Sequence, residues 1–543
     1  MKQKILIVLF VFLLFLPLAD LLHPGLPLTH DGQDHVARIA NFYQSLQEGN
    51  LVPRWAENLN WGYGHPILMF LYPLPSYVAS FFHFFGFSFV DSTKWVFGLS
   101  FIFSIVTMYL WLRQFLSEKA AIIGALLYGY APYHFVDLYV RGAIGELVAF
   151  VFPPLILYFI YKLSQKNSYW YVLGGALSLA GFILAHNAVS LMFLPILFGY
   201  IVYLYFMTND KKRFLFSAMI IILFGFLLSA FFWLPAFLEG KYTLRDIVTA
   251  HEFQDRFVSL AQLFYGPWNY GQTGEFTVQV GLLQWLFVLI AIPAIVFFHK
   301  TKNKLWVPLV GLFIIFFAAL FLMTPFTKVI WDKVSILQKF QFPWRLLFVT
   351  MFTSSVIGAI LFSAIPKKWQ LSAFIICGGF ILVSTTQMWH PRIYLLKPEQ
   401  FYTGIYNGTT DTGESSPIWS IRFMEHKPLA PLEIIHGQGQ ITVGQRTSTK
   451  HDYNVSLIQK SQLRENTLYF PGWSVLIDGN VSPIEFQDAN NRGLMTFWVD
   501  QGAHTIVARF QETKLRLLAD VISVGGLCLL FLLGILKKRL WQS

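Results

Sequence analysis

The chain predicts an all-α polytopic membrane bundle of about twelve transmembrane helices, carrying a small extracytoplasmic β-sandwich near its C-terminal end. Three observations predict it. Of 543 residues, 55% are hydrophobic and 13% charged, whereas a soluble domain carries about 25% charged residues. Apolar runs of roughly 17–25 residues recur, each long enough to cross a bilayer core of about 30 Å. Before the last run stands a polar segment, His390 to Lys514, built of short alternating stretches broken by Gly, Asn and Pro.

The first run, Ile5 to Leu22, follows Lys2 and Lys4 in the manner of a signal peptide. Asp20-Leu-Leu-His23-Pro24 offers no small-residue cleavage site, so the run reads as a retained first span. The spans fall near 5–22, 95–112, 120–136, 146–161, 170–186, 188–207, 214–237, 279–298, 305–323, 346–364, 371–388 and 517–536. Ile67 to Gly86 is left out, because Pro73, Pro75 and His83 interrupt it. Such backbone is tolerated at membrane depth mainly against protein or a cavity, so it reads as a helix dipping into the outer leaflet.

The net charge of +11 would suit a nucleic-acid binder. The basic residues instead sit in short clusters between apolar runs: Lys2/Lys4, Arg113/Lys119, Lys162/Lys166, Lys211-Lys212-Arg213, Lys300/Lys302/Lys304, Lys367-Lys368 and Lys537-Lys538-Arg539. Placing all of them in the cytoplasm satisfies the positive-inside rule and puts both termini there, so no nucleic-acid partner is expected. Cys377 and Cys528 both lie in apolar runs, which argues against a disulfide framework.

Loop 23–94 then lies outside, with an amphipathic helix from His35 to Gln47. The domains read as 1–389, membrane domain; 390–514, β-rich; and 515–543, a last span with a basic cytoplasmic tail. Trp473-Ser-Val-Leu-Ile-Asp-Gly and His504-Thr-Ile-Val-Ala-Arg-Phe510 carry the strand and turn signals of the sandwich.

No Asp, Glu, Lys or Arg stands in the middle of a predicted span. Ionisable groups there mark proton or ion paths. The candidates crowd the outer ends instead, which points to an interfacial site at the depth of a lipid phosphate. Asp31 follows the first span, and Gly32 beside it lets a ligand approach, so its carboxylate suits a general base. Asp34 is the second acid; either residue also suits the N-cap of the following helix. Glu146 sits at a helix start, where the macrodipole alone favours it, and an Arg141–Glu146 pair could simply tie the loop. Arg141 and Arg345 also match a phosphate bidentately. His186 lies at an outer helix junction, where a lone His is more often structural. Asp31, Asp34 and His35 could ligate a metal, but without a second cluster they define no site.

Several strings recur in a family pattern. They are Asp31-x-x-x-His35-x-x-Arg38, Gly49-Asn-Leu-Val-Pro-Arg54-Trp55, Gly62-Tyr-Gly-His-Pro66 and Tyr72-Pro-Leu-Pro75. Ala131-Pro-Tyr133, Asp137-Leu-Tyr139, Arg141-Gly-Ala, Glu146, Phe342-Pro-Trp-Arg345 and Tyr469-Phe-Pro-Gly-Trp473 follow. In this combination the chain resembles the bacterial YfhO-like and "6-pyruvoyl-tetrahydropterin synthase-related" membrane proteins of the GT-C glycosyltransferase superfamily. The resemblance implies a GT-C-like bundle in the cytoplasmic (inner) membrane, with an extracytoplasmic site. It implies transfer of a sugar from a polyprenyl-phosphate donor to a glycan, lipid or protein acceptor. Asp31 maps to the acidic base of the first external loop and Glu146 to a second acid. His35, Arg38, Arg141, His186 and Arg345 would bind substrate. Some members hold a divalent cation with paired acids, and no adjacent acidic pair stands in this chain's second loop. The rival readings are a lipid-linked sugar flippase, which should carry polar groups near the midplane, and a non-catalytic envelope assembly protein.

Overall fold

Proline and glycine decide where the apolar runs break into helices. The computed structural model describes residues 2–271 and 275–536. The predicted basic tail, Lys537-Lys538-Arg539, and the side chains of Lys2 and Lys4 lie outside the described residues. Among those residues, seven helices are long and apolar enough to cross a membrane: Phe89–Leu112, Ile144–Gln165, Asn187–Met207, Leu282–Lys300, Pro343–Ser363, Gln370–Met388 and Lys514–Ile535. Two bent pairs raise this to nine if each is one span: Lys211–Leu228 with Ala230–Leu238, bent by 67°, and Trp306–Leu322 with Pro325–Lys333, bent by 83°. Leu6–Leu22 and Tyr169–Ala185 are shorter apolar helices. The chain is a multi-pass membrane protein by this construction.

The expected span 120–136 is interrupted. Its helix, Glu118–Gly129, stops before Pro132, and Ala131 is extended at φ −67°, ψ 143°. A residue before proline is pushed out of the α region by the ring. Val136–Arg141 then forms a π-helical turn ended by Gly142 at φ +68°. The Ile67–Gly86 stretch likewise breaks into Ile67–Phe70 and Leu74–Phe84, as its prolines dictate. The amphipathic helix starts three residues earlier than its periodicity, at Gly32, and runs to Gln47 with Val36, Ile39, Ala40 and Phe42 buried. At the centre of the bundle, Leu347 to Phe362 is buried along its whole length.

The β-strands are β1 (Leu26–Pro27), β2 (Tyr394–Leu395), β3 (Leu432–His436), β4 (Gly439–Thr447), β5 (Lys450–Leu457), β6 (Ser461–Leu468), β7 (Trp473–Ile477), β8 (Asn480–Ser482), β9 (Leu494–Val499) and β10 (Gly502–Phe510). β1 pairs with β2, tying the segment after the first helix to the segment after Gln370–Met388. The others form antiparallel sheets in the orders β4-β5-β10-β7-β8 and β3-β6-β9. Alternate residues of β5 and β10 (Tyr453, Val455, Ile506, Ala508) are buried, as sheets packed on one face require. That core is shared with the membrane part: Trp55, Tyr63 and Phe70 of loop 23–94 and Phe232 of Ala230–Leu238 pack into it.

The sandwich is also fixed to the loop by charge. Glu57 meets Arg446 at 2.5 Å and His451 at 3.2 Å, and His451 Nδ1 lies 2.9 Å from Glu465. His451 and Glu465 are fully buried. Burial alone would depress the His451 pKa, but Glu57 and Glu465 outweigh it and lift it to about 9. The imidazole is therefore a cation at neutral pH. Both cysteines are free.

Candidate functional site

The segment after the first helix and the π-turn 136–141 meet through their backbones. His30 N donates to Val140 O at 3.0 Å, and Asp31 N donates to Arg141 O at 2.9 Å. Two glycines make this contact feasible. A Cβ on Gly142 would fall 2.2 Å from Thr29 Oγ1, at a φ that L side chains avoid, and one on Gly32 would fall 2.5 Å from the same atom. Thr29 Oγ1 accepts the Gly32 N–H at 3.1 Å. Asp31 occupies the N-cap position of Gly32–Gln47, yet its side chain makes no capping bond. Thr29 serves there in its stead, and the Asp31 carboxylate is left without a hydrogen bond among the described residues. Asp31 is exposed to solvent, with protein crowded around it. That burial among protein raises its pKa, against the pull of Arg141, His30 and Arg38.

Glu146 gathers the arginines. It accepts from Arg141 Nη2 at 2.9 Å, Arg345 Nε at 3.0 Å and Tyr133 OH at 2.6 Å, and its side chain is 1% exposed. Arg141 also meets Asp137 at 2.5 Å and lies 4.6 Å over the Trp344 ring. Arg345, at the head of the central helix, further donates to Phe340 O at 2.9 Å. Arg141 Nε and Arg345 Nη2 keep no hydrogen-bond partner among the described residues. Asp137 and Arg141, four residues apart, share one face of the π-turn, and such turns recur at functional sites.

The other predicted residues lie beside these or turn elsewhere. Asp34 accepts the Tyr406 hydroxyl at 2.8 Å, and burial raises its pKa. His35 is held neutral by burial and by the Arg38 charge, and Arg38 Nη1 lies 3.0 Å from its Nδ1. Arg38 Nε donates to Thr410 Oγ1 at 3.1 Å, and Nη2 to the Thr410 carbonyl. His186 caps Asn187–Met207 by accepting the Val189 N–H at 3.3 Å, and stacks 4.8 Å from Tyr72. Tyr72 itself lies against Gly145, where a Cβ would fall 2.2 Å from its Cε2. Burial pushes the Tyr72 hydroxyl up to about 12.

Tyr406 and Thr410 are the residues that sequence reasoning missed. They sit on a strap that also bonds loop 23–94 through Trp61 N to Tyr406 O (2.9 Å) and Asn60 N to Gly408 O (2.8 Å). Thr410 is held at φ +65°, a left-handed conformation that a β-branched residue adopts only when its surroundings over-determine it. No local pattern could have linked these positions to Asp34 and Arg38, which are more than 370 residues earlier.

Among the described residues, no three His, Cys, Asp or Glu side chains are arranged to hold a metal ion. Asp34, Asp137 and Glu146 are engaged by Tyr406, Arg141 and Arg345, and the one open carboxylate, Asp31, does not by itself make the ligand set of the divalent cation that the family resemblance allows. Two surface hollows, of about 470 Å³ and 260 Å³, are lined by other residues, Asp91 and Glu399 in the first and Arg54 and Glu512 in the second.

Fold and site together define a multi-pass membrane protein with an ionic junction and a β-sandwich at one end of its helical bundle. The chain belongs to the family described as 6-pyruvoyl-tetrahydropterin synthase related, a membrane protein family, whose model matches residues 68–391. An uncharacterized protein of Lactococcus lactis subsp. cremoris is 24% identical over 293 residues, 51% of this chain and 47% of that protein. The chain thus spans about half the length of this curated relative. Among solved structures, ArnT from Cupriavidus metallidurans bound to undecaprenyl phosphate superposes with a TM-score of 0.45 at 13% identity, covering 73% of this chain and 67% of that one. The oligosaccharyltransferase of Archaeoglobus fulgidus gives 0.43 at 12% identity, covering 76% and 61%.

Proposed function

We propose that the protein is a membrane glycosyltransferase of GT-C type that moves a sugar from a polyprenyl-phosphate donor to an acceptor outside the cytoplasmic membrane. The observation that supports this reading is the Asp31 carboxylate: accessible, free of capping duty, and joined by backbone to Arg141, which shares Glu146 with Arg345. Asp31 takes the proton from the acceptor hydroxyl as its oxygen attacks the anomeric carbon. The bond from that carbon to the donor phosphate breaks, and the phosphate leaves with the electron pair. Arg141 Nε and Arg345 Nη2 supply the donors that meet its charge. Glu146 holds both guanidinium groups in place. One displacement inverts the anomeric centre.

The site then faces the outside, with both termini in the cytoplasm, the orientation that the positive-inside bias of the basic clusters favours. Mass spectrometry of products from the purified protein and a panel of polyprenyl-phosphate sugars tests the proposal. Transfer by wild type and its loss in Asp31→Asn support it; transfer unchanged in that variant refutes Asp31 as the base.

A second reading is favoured by the engagement of Glu146 with two arginines and of Asp137 with one. In it the junction binds a lipid-linked sugar for an assembly complex without turnover. The same experiment separates the two, since this reading expects retained lipid and no product from any donor.

A further inference from the structure

Gly49-Asn-Leu-Val-Pro-Arg54-Trp55 takes no part in the junction at Asp31. Asn50, Val52 and Arg54, at alternate positions of a non-helical stretch, line the hollow of about 260 Å³ instead. Thr449, Gln511 and Glu512 stand among its other walls. Glu512 is two residues before the Lys514–Ile535 helix, whose Leu517 and Leu518 are exposed, and Leu51 is 79% exposed. The hollow therefore opens where the sandwich meets a lipid-facing surface, at headgroup depth.

Its polar groups are unevenly matched. Arg54, 4% exposed, donates to Glu512 Oε1 at 3.2 Å, Asp520 Oδ1 at 2.8 Å and the Phe231 carbonyl at 2.8 Å. Two carboxylates thus answer one guanidinium, while Arg516 nearby is paired with Glu239 at 2.7 Å. One negative charge is left uncompensated. Glu512 Oε2 and the side-chain carbonyls of Asn50 and Gln511 accept no hydrogen bond among the described residues. Three open acceptors beside an unmatched charge suit the three N–H groups of a primary ammonium. The Thr449 hydroxyl and the remaining N–H groups of Arg54 are donors for an anion attached to it.

We propose that this hollow binds the headgroup of a membrane lipid carrying a primary ammonium beside a phosphate, as phosphatidylethanolamine does. A choline headgroup offers the same charge but no N–H, so the site discriminates by hydrogen bonding. The proposal is independent of the transferase reading.

The test uses the full-length protein in nanodiscs of phosphatidylcholine with a minor share of phosphatidylethanolamine, and native mass spectrometry of retained lipid. Wild type is expected to enrich phosphatidylethanolamine about tenfold over its bulk share. Glu512→Gln should return the ratio to bulk, and N,N-dimethyl-phosphatidylethanolamine should be retained more weakly. Asn50→Val leaves every Arg54 pair intact and is expected to lower the enrichment even if Glu512→Gln fails to fold. Retention at the bulk ratio, or enrichment untouched by both substitutions, overturns the proposal. Binding of soluble glycerophosphoethanolamine without enrichment of the lipid overturns the lipid as source and assigns the hollow to a soluble amine.

Discussion

The His451 clamp should make the seat of the sandwich on loop 23–94 weaken with rising pH. His451 is lifted to about 9 in the folded protein from 6.5 in the unfolded chain, so protonation favours the folded state. Its contribution is fully present below pH 6.5 and is lost as pH rises through about 9. The difference of roughly 2.5 units, at 1.36 kcal/mol each, corresponds to about 3 kcal/mol. Above that pH the neutral ring leaves the Glu57 and Glu465 carboxylates short of one counter-charge in a buried site, with Arg446 alone between them. Urea unfolding of the detergent-solubilised protein, followed by tryptophan fluorescence, measures the effect, because Trp473 lies 5.1 Å from the His451 ring. The sandwich transition should lose about 3 kcal/mol between pH 6 and pH 9.5. His451→Gln should abolish most of that slope, and Glu57→Gln should reduce it. A wild-type midpoint that is flat or rises across this window would refute the reasoning.

Three further outcomes are expected. Asp31→Asn should lower transfer by about 10²–10⁴-fold while leaving the unfolding midpoint near wild type, because its side chain makes no bond to lose; a large midpoint drop would mark Asp31 as structural. Glu146→Gln removes the buried partner of two arginines and should cost about 3–5 kcal/mol, read as a lower thermal midpoint. Gly145→Ala drives a methyl into Tyr72 and should cost about 1–3 kcal/mol; Tyr72→Leu in the same chain should recover most of it, and additive costs would mean that the two do not touch.

Much of the membrane part was legible because lipid enforces it. Helices must satisfy their own backbone, so apolar length alone marks them, and Pro73 marks where one stretch breaks, whereas the break before Pro132 inside the expected span 120–136 was not read. Asp31, Arg141, Glu146 and Arg345 could be singled out for a related reason: charge is expensive at membrane depth, so ionisable residues collect at span ends and stand out against apolar neighbours. The sandwich was legible from alternation in stretches such as 504–510. Roles within the site were not. Asp31 and Asp34 both suit an N-cap by type and position, and only the fold shows Thr29 capping while Asp34 takes the Tyr406 hydroxyl.

Sequence alone determined the class of protein, the order of its apolar segments and the pool of residues able to do acid–base or phosphate chemistry, since these depend on composition and local spacing. Tertiary structure decided which of those residues are occupied and which are open. Tyr406 and Thr410 reach Asp34 and Arg38 across most of the chain, and Glu146 draws Arg141 and Arg345 together from separate helices. Pairings of that kind arise from packing between distant segments, which leaves no periodic trace in either partner.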